Sequence, residues 1–130
     1  MLIDTNALIW YALEPDRLST PAANAIRKNH NVYSHVSLWE MAIKSSLGKL
    51  ALRNARGQRA TAREFILMLV RELQLSALPL DFDDLADVEH LPQHHKDPFD
   101  RLLVVQARRS NLPLVTPDPC FDDYGVTRIW

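Results

Sequence analysis

The chain has 130 residues, 47% of them hydrophobic and 24% charged, with a formal net charge of -1. That length suits one domain able to bury roughly two-thirds of its unfolded surface, and the balance argues against disorder and against any global pull toward nucleic acid or membrane. A lone cysteine, Cys120, excludes an internal disulfide, and with no signal-peptide pattern or membrane-length apolar run the expectation is a reduced, soluble, cytoplasmic protein.

Met1 to Ile3 is a short apolar run read as a first strand, followed by a helical pattern from Ala7 to Leu13 that Pro15 and Asp16 break. Thr20-Pro21 reads as an N-cap with proline at the first helical position, opening a helix toward Lys28. Val32 to Val36 alternates as a strand does. Ser37 to Gly48 carries the apolar stripe Met41, Ala42, Ile43 and Leu47 of a helix. From Thr61 to Leu73 the spacing of Phe65, Ile66, Leu69, Val70 and Leu73 is amphipathic. Leu75 to Leu80 reads as a strand and Asp83 to His90 as a short acidic helix. Asp97-Pro98 opens a helix to about Ser110, and Leu112 to Thr116 and Thr127 to Trp130 read as closing strands. Strands and helices alternating at this pace predict parallel βαβ units, hence an α/β fold: a three-layer α/β/α sandwich with a central parallel sheet. Ligands of such sheets bind beyond the carboxyl ends of the strands. Two strands end in the same chemistry, Leu2-Ile3-Asp4 and Leu114-Val115-Thr116-Pro117-Asp118.

Each acid also has a plain reading. Asp4 suits a turn or a helix cap, Asp118 lies among turn-forming prolines, Ser37-x-x-Glu40 has the form of a capping box, and Asp97 before proline is a natural N-cap. Asp100 is the most informative. It falls in the first helical turn, where the helix dipole favours an anion, yet one turn before Leu103 and Val104, at the edge of the buried stripe. An acid there needs a partner, because an unpaired buried carboxylate is costly. Acids gathered from separate elements repel unless a cation joins them, and Mg²⁺ takes oxygen ligands of this kind. A metal so held activates water and neutralises charge on a phosphodiester, which suits the arrangement to phosphodiester hydrolysis.

Four blocks carry a resemblance: Leu2-Ile3-Asp4-Thr5-Asn6, Val36-Ser37-Leu38-Trp39-Glu40-Met41-Ala42-Ile43-Lys44, His94-His95-Lys96-Asp97-Pro98-Phe99-Asp100-Arg101-Leu102-Leu103, and Leu114-Val115-Thr116-Pro117-Asp118. Together they resemble PIN-domain ribonucleases and, more narrowly, VapC-type toxins of bacterial toxin–antitoxin pairs, along the whole of residues 1–130 as a single domain. The resemblance implies an endoribonuclease whose acidic site binds Mg²⁺ or Mn²⁺. It assigns the catalytic, metal-ligating acids to Asp4, Glu40, Asp100 and Asp118. Asn6 and Thr116 would orient those acids, and Asp97 would help hold a metal-bound water. Prolines on both sides of Asp118 stiffen its backbone, and the fourth acid is the least secure of the family's set.

From Lys44 to Arg63 the chain carries Lys44, Lys49, Arg53, Arg56, Arg59 and Arg63 and no acid. Lys44, Lys49, Arg53 and Arg56 are read as a phosphate-tracking RNA surface, and the acids from Asp81 to Glu89 as a solvated helix face. The resemblance further implies a cognate VapB-type antitoxin docking helix-in-groove near Phe65 to Leu73, and a homodimer. His94 and His95 are read as a structured loop, since adjacent histidines do not easily converge on one ion. Cys120 is expected to be inert, and Trp10, Trp39 and Trp130 to serve packing. Two rivals remain: a catalytically silent PIN-fold interaction module, and another Mg²⁺-dependent phosphate hydrolase such as an aspartyl phosphatase. The second lacks its paired acids one residue apart, because Thr5-Asn6 follows Asp4.

Overall fold

Leu2-Ile3 and Leu114-Val115 are apolar at every position, and a strand turns successive side chains to opposite faces. Leu2 and Leu114 accordingly enter one core, and Ile3 and Val115 the other. A parallel sheet covered on both faces requires this pattern. The structure is a computed structural model describing residues 1–130. Its strands are β1 (Leu2–Ile3), β2 (Val32–Ser34), β3 (Ser76–Leu78), β4 (Leu114–Val115) and β5 (Arg128–Ile129), all parallel in the order β3-β2-β1-β4-β5. Six α-helices connect and cover them: α1 (Thr5–Leu13), α2 (Thr20–Lys28), α3 (His35–Ser46), α4 (Ala62–Leu73), α5 (Phe82–Asp87) and α6 (Pro98–Arg109). Helices α1, α2 and α4 fill one core and α6 the other, with α5 packed on α6. The three-layer α/β/α sandwich is therefore present. No helix is long and apolar enough to cross a membrane.

Local chemistry moves several boundaries. Strand β2 stops at Ser34 because its hydroxyl accepts from the Val36 N–H and starts α3 there. Ser37 thus lies inside α3 and forms no capping box with Glu40; it accepts instead from the Thr5 hydroxyl at 3.0 Å, tying α1 to α3. Ser19 rather than Thr20 caps α2, and reciprocal boxes belong to Thr61 and Glu64 on α4 and to Asp81 and Asp84 on α5. Short 3₁₀ segments at Pro15–Arg17 and Pro119–Tyr124 escaped the periodicity. The acidic run is not wholly solvated either, since Asp84 is buried and bonded to Gln106 and Arg109. Trp10 and Trp130 pack edge to face at 5.8 Å, while Trp39 stays 49% exposed against Phe99.

Helix α6 is buried from Arg101 to Ala107, so its polar members need partners. The Arg101 guanidinium donates to the carbonyls of Pro92 (2.7 Å), Val88 (2.8 Å) and Leu91 (3.2 Å). It thereby fixes the chain leading into α6. Replacing it with methionine would leave the Leu91 and Pro92 carbonyls without donors, and Val88 with only the Leu91 N–H, at a cost of about 2–4 kcal/mol. Urea unfolding of Arg101→Met should show that loss as a lowered midpoint at unchanged slope; a loss below about 1 kcal/mol would contradict the role.

Candidate metal centre

Strand β1 lies between β2 and β4, so the strand order reverses there and a crevice opens beyond the carboxyl ends of β1 and β4. The register pairs Ile3 with Val115, which sets the next residues, Asp4 and Thr116, side by side. Asp4 is 2% exposed; its Oδ2 accepts from the Thr116 hydroxyl at 2.7 Å and its Oδ1 from the Asn6 N–H at 3.2 Å. Asp4 is therefore both the cap of α1 and an acid delivered by a strand end. Asn6 acts through its main chain, and its side chain makes no hydrogen bond.

Glu40 is 4% exposed on α3, where it is ion-paired with Lys44 one turn on. Asp100, in the first turn of α6, is half-buried; Asp97, the cap of that helix, accepts from the Phe99 N–H at 2.9 Å. Asp118 caps the 3₁₀ segment Pro119–Tyr124, accepting from the Cys120 N–H at 2.8 Å, and its own N–H donates to Thr116 Oγ1 at 3.2 Å.

The charge on these groups feels itself. Burial, opposed by the Thr116 and Asn6 hydrogen bonds and reinforced by Glu40 and Asp118, pushes the Asp4 carboxyl up to about 6. Asp100 is pushed up to about 7 by burial first, then by Asp4, Asp97, Glu40 and Asp118. Burial works against the Lys44 ammonium, but its hydrogen bond to Glu40 and the charges of Glu40, Asp97 and Asp100 raise it overall. Burial and the neighbouring acids also raise the Cys120 thiol, which leaves it a poor nucleophile.

Five carboxylates thus face one ammonium. Oxygen donors crowded until two of them resist ionisation are the donor set a hard divalent cation takes, so Mg²⁺ or Mn²⁺ fits these residues. His95, read as part of a loop, also belongs here. It is 7% exposed, and its Nε2 lies 3.2 Å from Asp118 Oδ2. His95, Asp100 and Asp118 each offer a ligand atom within 4.8 Å of the others. Its ring is fixed by Phe121 and Tyr124, far along the chain, so no local signal marked it.

Of the basic residues, Lys44 alone joins the cluster. Arg53 and Arg56 line hollows with Tyr11, Arg27, Arg71 and Glu72, at the far ends of α1 and α4. That loop, which includes Lys49, follows the end of α3, and the six residues after Glu40, as far as Ser46, span roughly 9 Å.

A protein-family profile described as "PIN domain" matches residues 1–126. No curated protein matches the chain. Among solved structures, the VapBC2 complex of Rickettsia felis bound to a promoter DNA fragment aligns with TM-score 0.68 and 15% identity, over 98% of this chain and 95% of that one. FitAcB from Neisseria gonorrhoeae aligns with TM-score 0.61 and 18% identity, over 98% and 94%. A FitAB complex bound to a DNA fragment gives 0.62 and 19%, over 98% and 92%. At these identities the likeness shows the fold.

Asp4 and Asp100 retain protons in the folded chain at pH values where unfolded aspartate has released them. The folded state therefore binds more protons between about pH 4 and 7, and the stability these groups contribute falls as pH rises through that window. Asp100→Asn removes one repelling charge. At pH 8 it should stabilise the metal-free protein by about 1–2 kcal/mol, after discounting for partial exposure, and at pH 5 by much less. Thermal unfolding at both pH values checks this; destabilisation at pH 8 would contradict the repulsion.

Proposed function

The chain belongs to the PIN-domain family, and from that premise we propose that it is a divalent-metal-dependent endoribonuclease serving as the toxin of a toxin–antitoxin pair. The observation that supports this reading is the gathering of Asp4, Glu40, Asp100 and Asp118 near the point where the strand order reverses, with burial first and neighbouring carboxylates second pushing Asp4 and Asp100 toward neutrality. Its structural neighbours are toxin–antitoxin assemblies, which supports the biological role.

In this reading Asp4, Glu40, Asp100 and Asp118 hold Mg²⁺ or Mn²⁺. When bound, the metal supplies an activated water and neutralises charge on a phosphodiester. Thr116 and the Asn6 N–H keep both Asp4 oxygens turned into the crevice. Asp97, the cap of α6 one turn before Asp100, would help hold a water at the site. Lys44, ion-paired with Glu40 beside these acids, would offer its ammonium to a phosphate oxygen. Lys49, Arg53 and Arg56 would meet phosphates further along the RNA. An antitoxin segment fits the hollow between α3 and α4 lined by Leu38, Ala42, Ala60 and Ala62, and a homodimer completes the assembly.

Purified protein free of any partner should cut folded cellular RNA into discrete fragments with Mg²⁺ or Mn²⁺. A chelator should stop it, and Asp4→Asn or Asp100→Asn should slow it by at least about 100-fold, the scale of losing metal-borne charge stabilisation. Folded protein that leaves every RNA intact with either metal would favour a silent PIN-fold module; cleavage surviving Asp4→Asn would displace the site.

A further inference from the structure

His95 is a buried polar side chain in contact with the acid cluster to which the proposed reaction gives no task. Its ring lies parallel to Tyr124, 5.4 Å between centroids and 5° between planes, and meets Phe121 at 4.6 Å. Its main-chain N–H donates to the Tyr124 hydroxyl at 2.6 Å. The imidazole therefore has nowhere to swing, and its Nε2 faces Asp118 Oδ2 at 3.2 Å while Nδ1 is buried with no partner.

These facts fix the ring's proton. A carboxylate oxygen only accepts, so the contact with Asp118 needs a hydrogen on Nε2. A hydrogen on Nδ1 would be a buried donor without an acceptor, which costs more than a bare lone pair there. Asp118 Oδ1 is already held by the Cys120 N–H, so a second donor on Oδ2 stops the carboxylate from rotating. Asp118 is far more exposed than Asp4 or Glu40, its side chain 43% open to solvent between two prolines.

We propose that His95 is the positioning residue for Asp118: held rigid by Tyr124 and Phe121, it donates from Nε2 and keeps the fourth carboxylate aimed at the divalent cation. This rests on Asp118 being a metal ligand in the reading above. An outer hydrogen bond of this kind to a ligating carboxylate is commonly worth 10- to 100-fold in metal affinity.

The test uses two variants of the whole chain. His95→Phe keeps the ring packing and deletes the donor; His95→Gln places an amide N–H near the position of Nε2. In ¹⁵N-labelled metal-free protein, long-range proton–nitrogen correlation of the His95 ring should place the proton on Nε2. Mn²⁺ titration should show roughly 10-fold weaker binding in His95→Phe and recovery of most of that loss in His95→Gln. A proton on Nδ1 with a bare Nε2 overturns the proposal. So does equal weakening in both variants, which would make the ring nitrogen itself a ligand. Wild-type protein that binds no Mn²⁺ overturns the metal reading and this role together; intact binding indifferent to His95→Phe overturns this role alone.

Discussion

Carboxylates brought within a few ångströms repel one another, and the architecture around the crevice is fitted to that repulsion. Basic side chains do little to relieve it, since Lys44 is the only one engaged. Relief comes from helix ends. Asp4 caps α1, Asp97 caps α6, Asp100 sits in the first turn of α6, and Asp118 caps a 3₁₀ segment. Each of these four acids, unlike Glu40 in the middle of α3, is placed where unpaired N–H groups and the positive end of a helix face it. The favourable field is modest, about 0.3–1 kcal/mol per helix end, too little to cancel mutual repulsion at close range. The balance is left for a cation.

The sheet supplies the precision that electrostatics alone would not. Because Ile3 pairs with Val115, Asp4 is carried beside Thr116, and one hydroxyl serves two acids: it donates to Asp4 Oδ2 and accepts from the Asp118 N–H. Asp118 is joined in turn to His95, and His95 to Tyr124. A one-residue slip of β4 would turn Thr116 toward the other face and break this chain of contacts at its first link. Arg101 secures the segment from which His95 projects, so a buried cation that touches no acid still governs where the last of them points.

How much of this could be read from residues alone depends on whether the cause is local. The strands and helices follow from apolar spacing, and Asp4 and Asp100 stand out because each interrupts or borders a buried stripe. Glu40 was masked by Ser37, whose spacing to it imitates a cap; the true start of α3 is set by Ser34, three residues earlier. Asp84 looked solvated because its neighbours are acidic, yet its partners Gln106 and Arg109 come from another helix. His95 was invisible for the same reason, its ring being held by residues beyond β4. The basic stretch is contiguous in sequence but divided in space: Lys44 pairs with Glu40, Arg59 and Arg63 line a hollow with Leu38 and Ala42 of α3, and Arg53 and Arg56 line others.

The central position of β1 also sets a timetable for synthesis. Asp4 leaves a ribosome well before Thr116, its partner across the β1–β4 pair, which lies 112 residues later. At about 5–20 residues per second the interval is roughly 6–20 s. Throughout that time the nascent chain holds Asp4 without the strand that fixes its orientation and without Asp100 or Asp118 for most of the way. The crevice closes only as β4 docks, the longest-range pairing in the sheet and by loop-closure entropy the slowest to form. A partly made chain therefore carries the acids as separate, ordinary aspartates, and the cluster comes into being as one of the last events of folding.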